Sequence, residues 1–214
     1  MNVNLSVTAK VWALCASGDT SAVAQQYFYD NGAYTNIGCS AYELPYFEDF
    51  DYNTYNNNLG FCWWRRRTTQ YENMSLPLVN SGKGIGGSAA LWFARYFNGN
   101  SYGTLYSPYF DAPANELDVS FWIRVIGPNE GVGEVSDANA SLTVGVADAD
   151  IETAAANIFC SQSLLHFDYS DLDTAWQFVH FTTDTIDMNY IDGNVRLAFL
   201  WYGNTAGIYI DNLK

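Results

Sequence analysis

Four carboxylates stand beside β-forming aromatics at two distant points of the chain. Glu48, Asp49 and Asp51 lie within Leu44-Pro45-Tyr46-Phe47-Glu48-Asp49-Phe50-Asp51, and Asp211 lies within Ile208-Tyr209-Ile210-Asp211-Asn212-Leu213. Hard cations take carboxylate, amide and carbonyl oxygens as ligands. If the first and last strands of a sandwich are neighbours, these carboxylates meet and can hold such an ion. Strand alternation limits the set. Asp49 and Asp51 fall on one face with Phe47, and Glu48 falls on the other with Phe50. One ion takes all four only across a bulge. Ordinary solvated acids at strand ends are the plain alternative.

A second chemistry is stacking. Trp63-Trp64 runs into Arg65-Arg66-Arg67, a basic run in an acidic chain. Exposed aromatic rings stack on sugar faces or pair with cations. Adjacent strand residues point to opposite faces, so one of the two indoles faces the core and the other faces out. Trp201 and Tyr202 pose the same choice. Trp64, Arg65, Trp201 and Tyr202 are the candidate ligand-binding residues.

Catalytic signals are thin. His166 and His180 read as structurally satisfied histidines, and no Gly-x-Ser-x-Gly elbow is present. A pair of carboxylates is no evidence for a glycosidase where 23 acids supply pairs by chance. The stretch Asn80-Ser81-Gly82-Lys83-Gly84-Ile85-Gly86-Gly87-Ser88 lacks the Gly-Lys-Ser/Thr ending of a phosphate loop and reads as a turn. Asp148, Asp150 and Glu152 lack EF-hand spacing and read as a solvated turn, as do Asp168, Asp171 and Asp173.

Bulk composition bounds the rest. The 214 residues suffice for one large β domain, or a medium domain and a fragment. Hydrophobic residues at 49% support a core, and 17% aromatics favour strands. The formal charge of −14 repels nucleic acid and leaves cations as favoured small partners. No apolar run reaches the ~20 residues of a membrane-spanning helix, so membrane insertion is not expected. No signal peptide is visible. Cys15, Cys39, Cys62 and Cys160 form no Cys-x-x-Cys pair. They fit one or two disulfides in an oxidising compartment, or four reduced thiols.

The elements are strands. Val3 to Val11 alternate strictly, and a second strand is expected at about Ala22 to Tyr29. Leu117, Val119, Phe121, Ile123 and Val125 give the clearest alternation. Further strands are read at 89–93, 142–146, 176–181, 195–202 and 208–210, with a helical turn only at 151–159. Many strands, polar turns and no βαβ rhythm predict an all-β antiparallel jelly-roll sandwich preceded by a β-hairpin fragment.

Several motifs carry a resemblance. Phe47-Glu48-Asp49-Phe50-Asp51, Cys62-Trp63, Gly87-Ser88-Ala89-Ala90-Leu91, Thr104-Leu105-Tyr106-Ser107-Pro108, the strand Leu117 to Arg124 and Tyr209-Ile210-Asp211-Asn212-Leu213 appear in the order of cleaved-adhesin and MAM-like jelly rolls. Residues 43–214 resemble that family. Asn212 departs from it, where the family often has a second Asp. Residues 1–38, through Val11-Trp12-Ala13-Leu14-Cys15 and Gly18-Asp19-Thr20-Ser21-Ala22, resemble the last hairpin of a fibronectin type III domain, so the chain is expected to begin inside a longer protein.

The resemblance implies an adhesion or ligand-binding module, secreted or at the cell surface. It implies glycan or extracellular protein as partner and no enzyme activity. It also implies calcium at Glu48, Asp49, Asp51 and Asp211, and Trp63 in the core. A Cys39–Cys62 disulfide is expected from position, Cys39 lying just before the first jelly-roll strand and Cys62 near the start of the strand after the Asn-rich loop. A glycan-active enzyme on a lectin-like sandwich and a structural spacer are the alternatives.

Overall fold

The computed structural model describes residues 7–11, 24–28, 41–51, 59, 62–67, 77–94, 101–126, 140–148, 160–191, 194–203 and 207–214, with backbone alone at 7–11, 24–28, 65–67, 94, 101–102 and 190. The strands are β1 (Val7–Val11), β2 (Ala24–Phe28), β3 (Trp64–Arg67), β4 (Leu78–Asn80), β5 (Ala90–Ala94), β6 (Ser101–Tyr106), β7 (Asp118–Val125), β8 (Ser141–Ala147), β9 (Gln162–Asp168), β10 (Gln177–Thr182), β11 (Arg196–Gly203) and β12 (Gly207–Asp211). Sheet I runs β10-β7-β12-β5-β4 and sheet II runs β3-β6-β11-β8-β9. Both are antiparallel throughout. Neighbours distant in sequence and two packed antiparallel sheets are the winding of a jelly roll, as the strand pattern predicts.

Alternation builds the core. On β7, Val119, Phe121, Ile123 and Val125 are buried. They join Leu91, Phe93, Ile208 and Ile210 of sheet I against Leu105, Leu142, Val144, Leu197, Phe199 and Trp201 of sheet II. Burying apolar surface at roughly 25 cal/mol per Å² makes this layer the main source of stability.

The two ends of the domain meet. Glu48 N donates to Leu213 O at 2.8 Å, and Leu213 N donates to Glu48 O at 2.9 Å. Lys214 and Ser120 exchange a similar pair, at 3.0 and 2.8 Å. The segment before β3 is thereby stitched to the segment after β12, as the carboxylate argument requires. β1 and β2 form a hairpin of their own, with Val7 opposite Phe28 and Val11 opposite Ala24. The rest of 1–38 and the turn expected at 151–159 lie outside the described residues.

Cys62 is disulfide-bonded and Cys160 is a free thiol. Cys15 and Cys39 lie outside the described residues. Non-reducing peptide mapping is expected to join the Cys62 peptide to the Cys39 peptide. Closing a loop of that length contributes about 3 kcal/mol. A Cys62 peptide joined to Cys15 would refute the pairing.

Candidate functional site

The carboxylates divide into two groups. Glu48 turns inward and is 8% exposed. Its Oε1 accepts Phe50 N at 2.8 Å, and its Oε2 accepts the Tyr46 hydroxyl at 3.1 Å. That hydroxyl in turn accepts Trp63 Nε1 at 3.2 Å. Burial, with a smaller contribution from the nearby Asp49 charge, pushes the Glu48 carboxyl up to about 7. Asp49 closes a local turn, its Oδ1 accepting Asp51 N at 3.1 Å.

Asp51 and Asp211 reach the same loop from opposite ends of the domain. Asp51 Oδ1 accepts Ala89 N at 2.6 Å. Asp211 Oδ2 accepts Ile85 N at 2.8 Å and Ser88 Oγ at 3.3 Å, and its Oδ1 accepts Asn212 N at 2.7 Å. The loop is shaped for this. Gly86 and Gly87 have positive φ, and a Cβ on Gly84 would meet Ala89 O. Asp211 is fully buried, and burial first, then the Asp51 charge, raises its proton affinity.

The expectation of four converging ligands is thus corrected. Phe50 adopts φ +59, which ends strand alternation between Asp49 and Asp51. Glu48 bonds Tyr46 and Phe50 and Asp49 bonds within its own turn, whereas Asp51 and Asp211 both bond the 85–89 loop and are the two that the fold brings together. Among the described residues no group of three or more His, Cys, Asp or Glu converges on a common metal position.

The outward face of sheet II holds the aromatic candidates. Trp63 is buried against Phe50, with ring centroids 5.7 Å apart. Trp64, the next residue, stands half-buried on the outer face and stacks on Tyr106 at 4.7 Å and 27°. Tyr106 is floored by Arg196, whose guanidinium lies 3.6 Å over the Tyr109 ring and 6.0 Å over Tyr106. Tyr202 shares the outer face, half-buried. Trp201 does not. It is 1% exposed in the core, because β11 directs Leu197, Phe199 and Trp201 inward as one alternating set. Its expected ligand role is withdrawn. Arg65 pairs with Leu105 on β3, and its side chain lies outside the described set.

Pairing registers place further groups on this face. Thr104, Leu200, Thr143 and His166 form one row, and Tyr202, Ser141 and Asp168 form another. His166 Nδ1 lies 2.9 Å from Thr143 Oγ1, and its Nε2 lies 3.3 Å from Asp168 Oδ1. Thr, His and Asp in this order resemble an acyl-transfer chain, but the His and Asp side chains are 57% and 66% exposed. The polar atoms of His166 and Asp168 are therefore open to hydrogen bonding from solvent. Trp64 and Tyr202 are two strands and two rows apart, roughly 17 Å between Cα atoms from standard sheet spacings. Sequence reasoning missed Tyr106 and the Thr143–His166 row. Alternation marks their faces, but pairing across strands is what joins them.

No known family profile and no curated protein matches the chain. Solved structures do. The K1 cleaved adhesin domain of Lys-gingipain from Porphyromonas gingivalis W83 is similar at TM-score 0.52 and 13% identity, over 78% of this chain and 95% of that one. The K3 cleaved adhesin domain of the same protein is similar at TM-score 0.52 and 16% identity, over 79% and 97%. A family 11 carbohydrate-binding module from Clostridium thermocellum, solved with a β-1,3-1,4-mixed-linked tetrasaccharide, aligns at TM-score 0.39 and 12% identity, over 74% and 91%, too distantly to carry an argument. At these identities the similarity establishes the jelly-roll fold and nothing finer.

Proposed function

We propose that this chain is a non-catalytic adhesion module that binds glycan through the outer face of sheet II and is stiffened by calcium. The observation that carries the reading is the half-exposed Trp64 ring held on Tyr106, on the face that also presents Tyr202 and the hydrogen-bonded Thr143, His166 and Asp168. A flat apolar ring held in place, with hydrogen-bonding groups beyond it, complements a sugar that is apolar on one face and hydroxylated at its rim. The span between Trp64 and Tyr202 suits an oligosaccharide better than a single ring. The disulfide at Cys62 supports a secreted or cell-surface location, since such bonds persist in oxidising compartments. A glycan array, followed by titration of any hit into a Trp64→Ala variant, tests the binding face. Binding unchanged by the substitution would refute it.

Calcium fits the second pair. Asp51 and Asp211 lie close enough for the Asp51 charge to raise the proton affinity of Asp211. Bound there, the ion would neutralise both carboxylates and strengthen the link between the first and last segments. Binding to the native state alone adds about 2.7 kcal/mol at a hundredfold excess over Kd. Melting is therefore expected several degrees higher in calcium than in excess chelator. Identical melts, with no metal found by elemental analysis, would overturn the proposal.

A further inference from the structure

The outer face of sheet I carries a second set of rings, which the reading above does not use. In register, Phe178 on β10 lies opposite Trp122 on β7, and Trp122 lies opposite Asp211 on β12. One row on, Arg124 lies opposite Tyr209, and Tyr209 opposite Trp92. Val179 and Phe181 are the residues of β10 that pack toward the core, so Phe178 faces water. It is 58% exposed, and Trp122 and Trp176 beside it are half-buried.

These rings are held in place. Phe178 and Trp122 have centroids 5.3 Å apart at 56°. The Arg124 guanidinium lies 5.2 Å over the Trp176 ring and 4.7 Å over the Tyr209 ring. It also donates to the carbonyls of Val125 and Lys83, each at 3.4 Å. Asn80 Nδ2 donates to the Tyr209 hydroxyl at 3.2 Å. A ligand meeting this surface has little side-chain freedom to freeze, and such preorganisation lowers the cost of binding.

Charge and size narrow the occupant. Nucleic acid is repelled by a chain of charge −14, and a second copy brings the same charge. A stable protein interface buries about 800 Å² per partner. Here one exposed ring is flanked by two half-buried ones, and each aromatic offers at most ~150–250 Å². Beside the rings stand Ser120 and the His180–Asp118 pair, joined at 2.6 Å. Small flat apolar surfaces next to hydroxyl-sized hydrogen-bonding groups match a pyranose.

We propose that Phe178, Trp122 and Trp176 form a second stacking site, for a neutral glycan, on the opposite side of the sandwich from Trp64. One chain would then hold two glycan strands and cross-link them. The ligand class rests on the glycan reading of the Trp64 face, but the site itself does not.

The test is calorimetric titration of the full chain with neutral β-1,4-linked hexasaccharides of gluco, xylo, manno and galacto configuration. Two equivalents are expected for the wild type. Phe178→Ala should weaken one of them about tenfold or more, at an unchanged melting temperature because the ring is exposed. Trp122→Leu should do the same while keeping a smaller apolar side chain under the ring. Trp64→Ala should spare this equivalent and remove the other. Loss with Phe178→Ala alone, and none with Trp64→Ala, would sustain this site and refute the Trp64 face. A single equivalent that Trp64→Ala removes and Phe178→Ala leaves intact would overturn the second site. Failure of every hexasaccharide to bind would overturn both.

Discussion

Trp63→Ala is expected to destabilise the domain by about 3–5 kcal/mol, whereas Trp64→Ala costs about 1 kcal/mol and removes glycan binding at the outer face of sheet II. The two residues are adjacent on the same strand entry, so composition and location cannot explain a difference. Facing does. Trp63 fills the space against Phe50 inside the main core, and its indole N–H ends the hydrogen-bond chain through Tyr46 to Glu48. Truncation opens a cavity and removes the indole N–H that donates to the Tyr46 hydroxyl, which keeps its bond to Glu48. Trp64 leaves behind only its stack on Tyr106, which Arg196 and Tyr109 still floor. Denaturant melts give the first quantity, and titration with an array-identified glycan gives the second. If Trp64→Ala unfolds the chain and Trp63→Ala does not, the facing is inverted and the binding face is lost with it.

Strands whose two faces differ in polarity were legible from alternation. β7 is the clearest case: Asp118, Ser120 and Arg124 stand on the water side, and Val119, Phe121, Ile123 and Val125 on the core side. β11 was legible as a strand, but its inward face was not. Leu197, Phe199 and Trp201 alternate with Ala198, Leu200 and Tyr202, and both sets are largely apolar because Ala198 is itself buried beneath Tyr106. Nothing in such a strand marks Trp201 as the inward ring. β10 has the same ambiguity, since Phe178 and Phe181 lie on opposite faces. At the carboxylates, alternation failed for a different reason. The positive φ of Phe50 is a backbone choice that no side-chain pattern records, and it decides that Asp51 alone joins Asp211 at the loop. What survived was the larger inference, that the two ends of the domain are neighbours. That depends on topology and tolerates an error in any one side chain.

The Glu48 carboxyl makes stability depend on pH in a direction opposite to that of ordinary salt-bridged acids. Its proton affinity rises from an ordinary value of 4.5 to about 7 on folding, chiefly through burial. Between those values the native state holds more protons than the unfolded chain, so stability falls as pH rises through the window. Below 4.5 both states are protonated and nothing is lost. Above 7 the buried carboxylate is charged in the native state, and the cost is about 3 kcal/mol at 1.36 kcal/mol per unit. Asp211 shifts in the same direction, so the wild-type slope alone does not identify Glu48. Glu48→Gln does. The amide oxygen still accepts Phe50 N, and the side chain carries no charge at any pH. In chelator, the variant is expected to match the wild type near pH 4.5 and exceed it by about 3 kcal/mol at pH 8. Parallel pH profiles for the two proteins would refute the assignment. The same pair of proteins also tests the cation site. With Asp51 and Asp211 as the carboxylate ligands, Glu48→Gln retains the full calcium-induced rise in melting temperature. Loss of that rise would return Glu48 to the ligand set and break its hydrogen bond to Tyr46 in the metal-bound state.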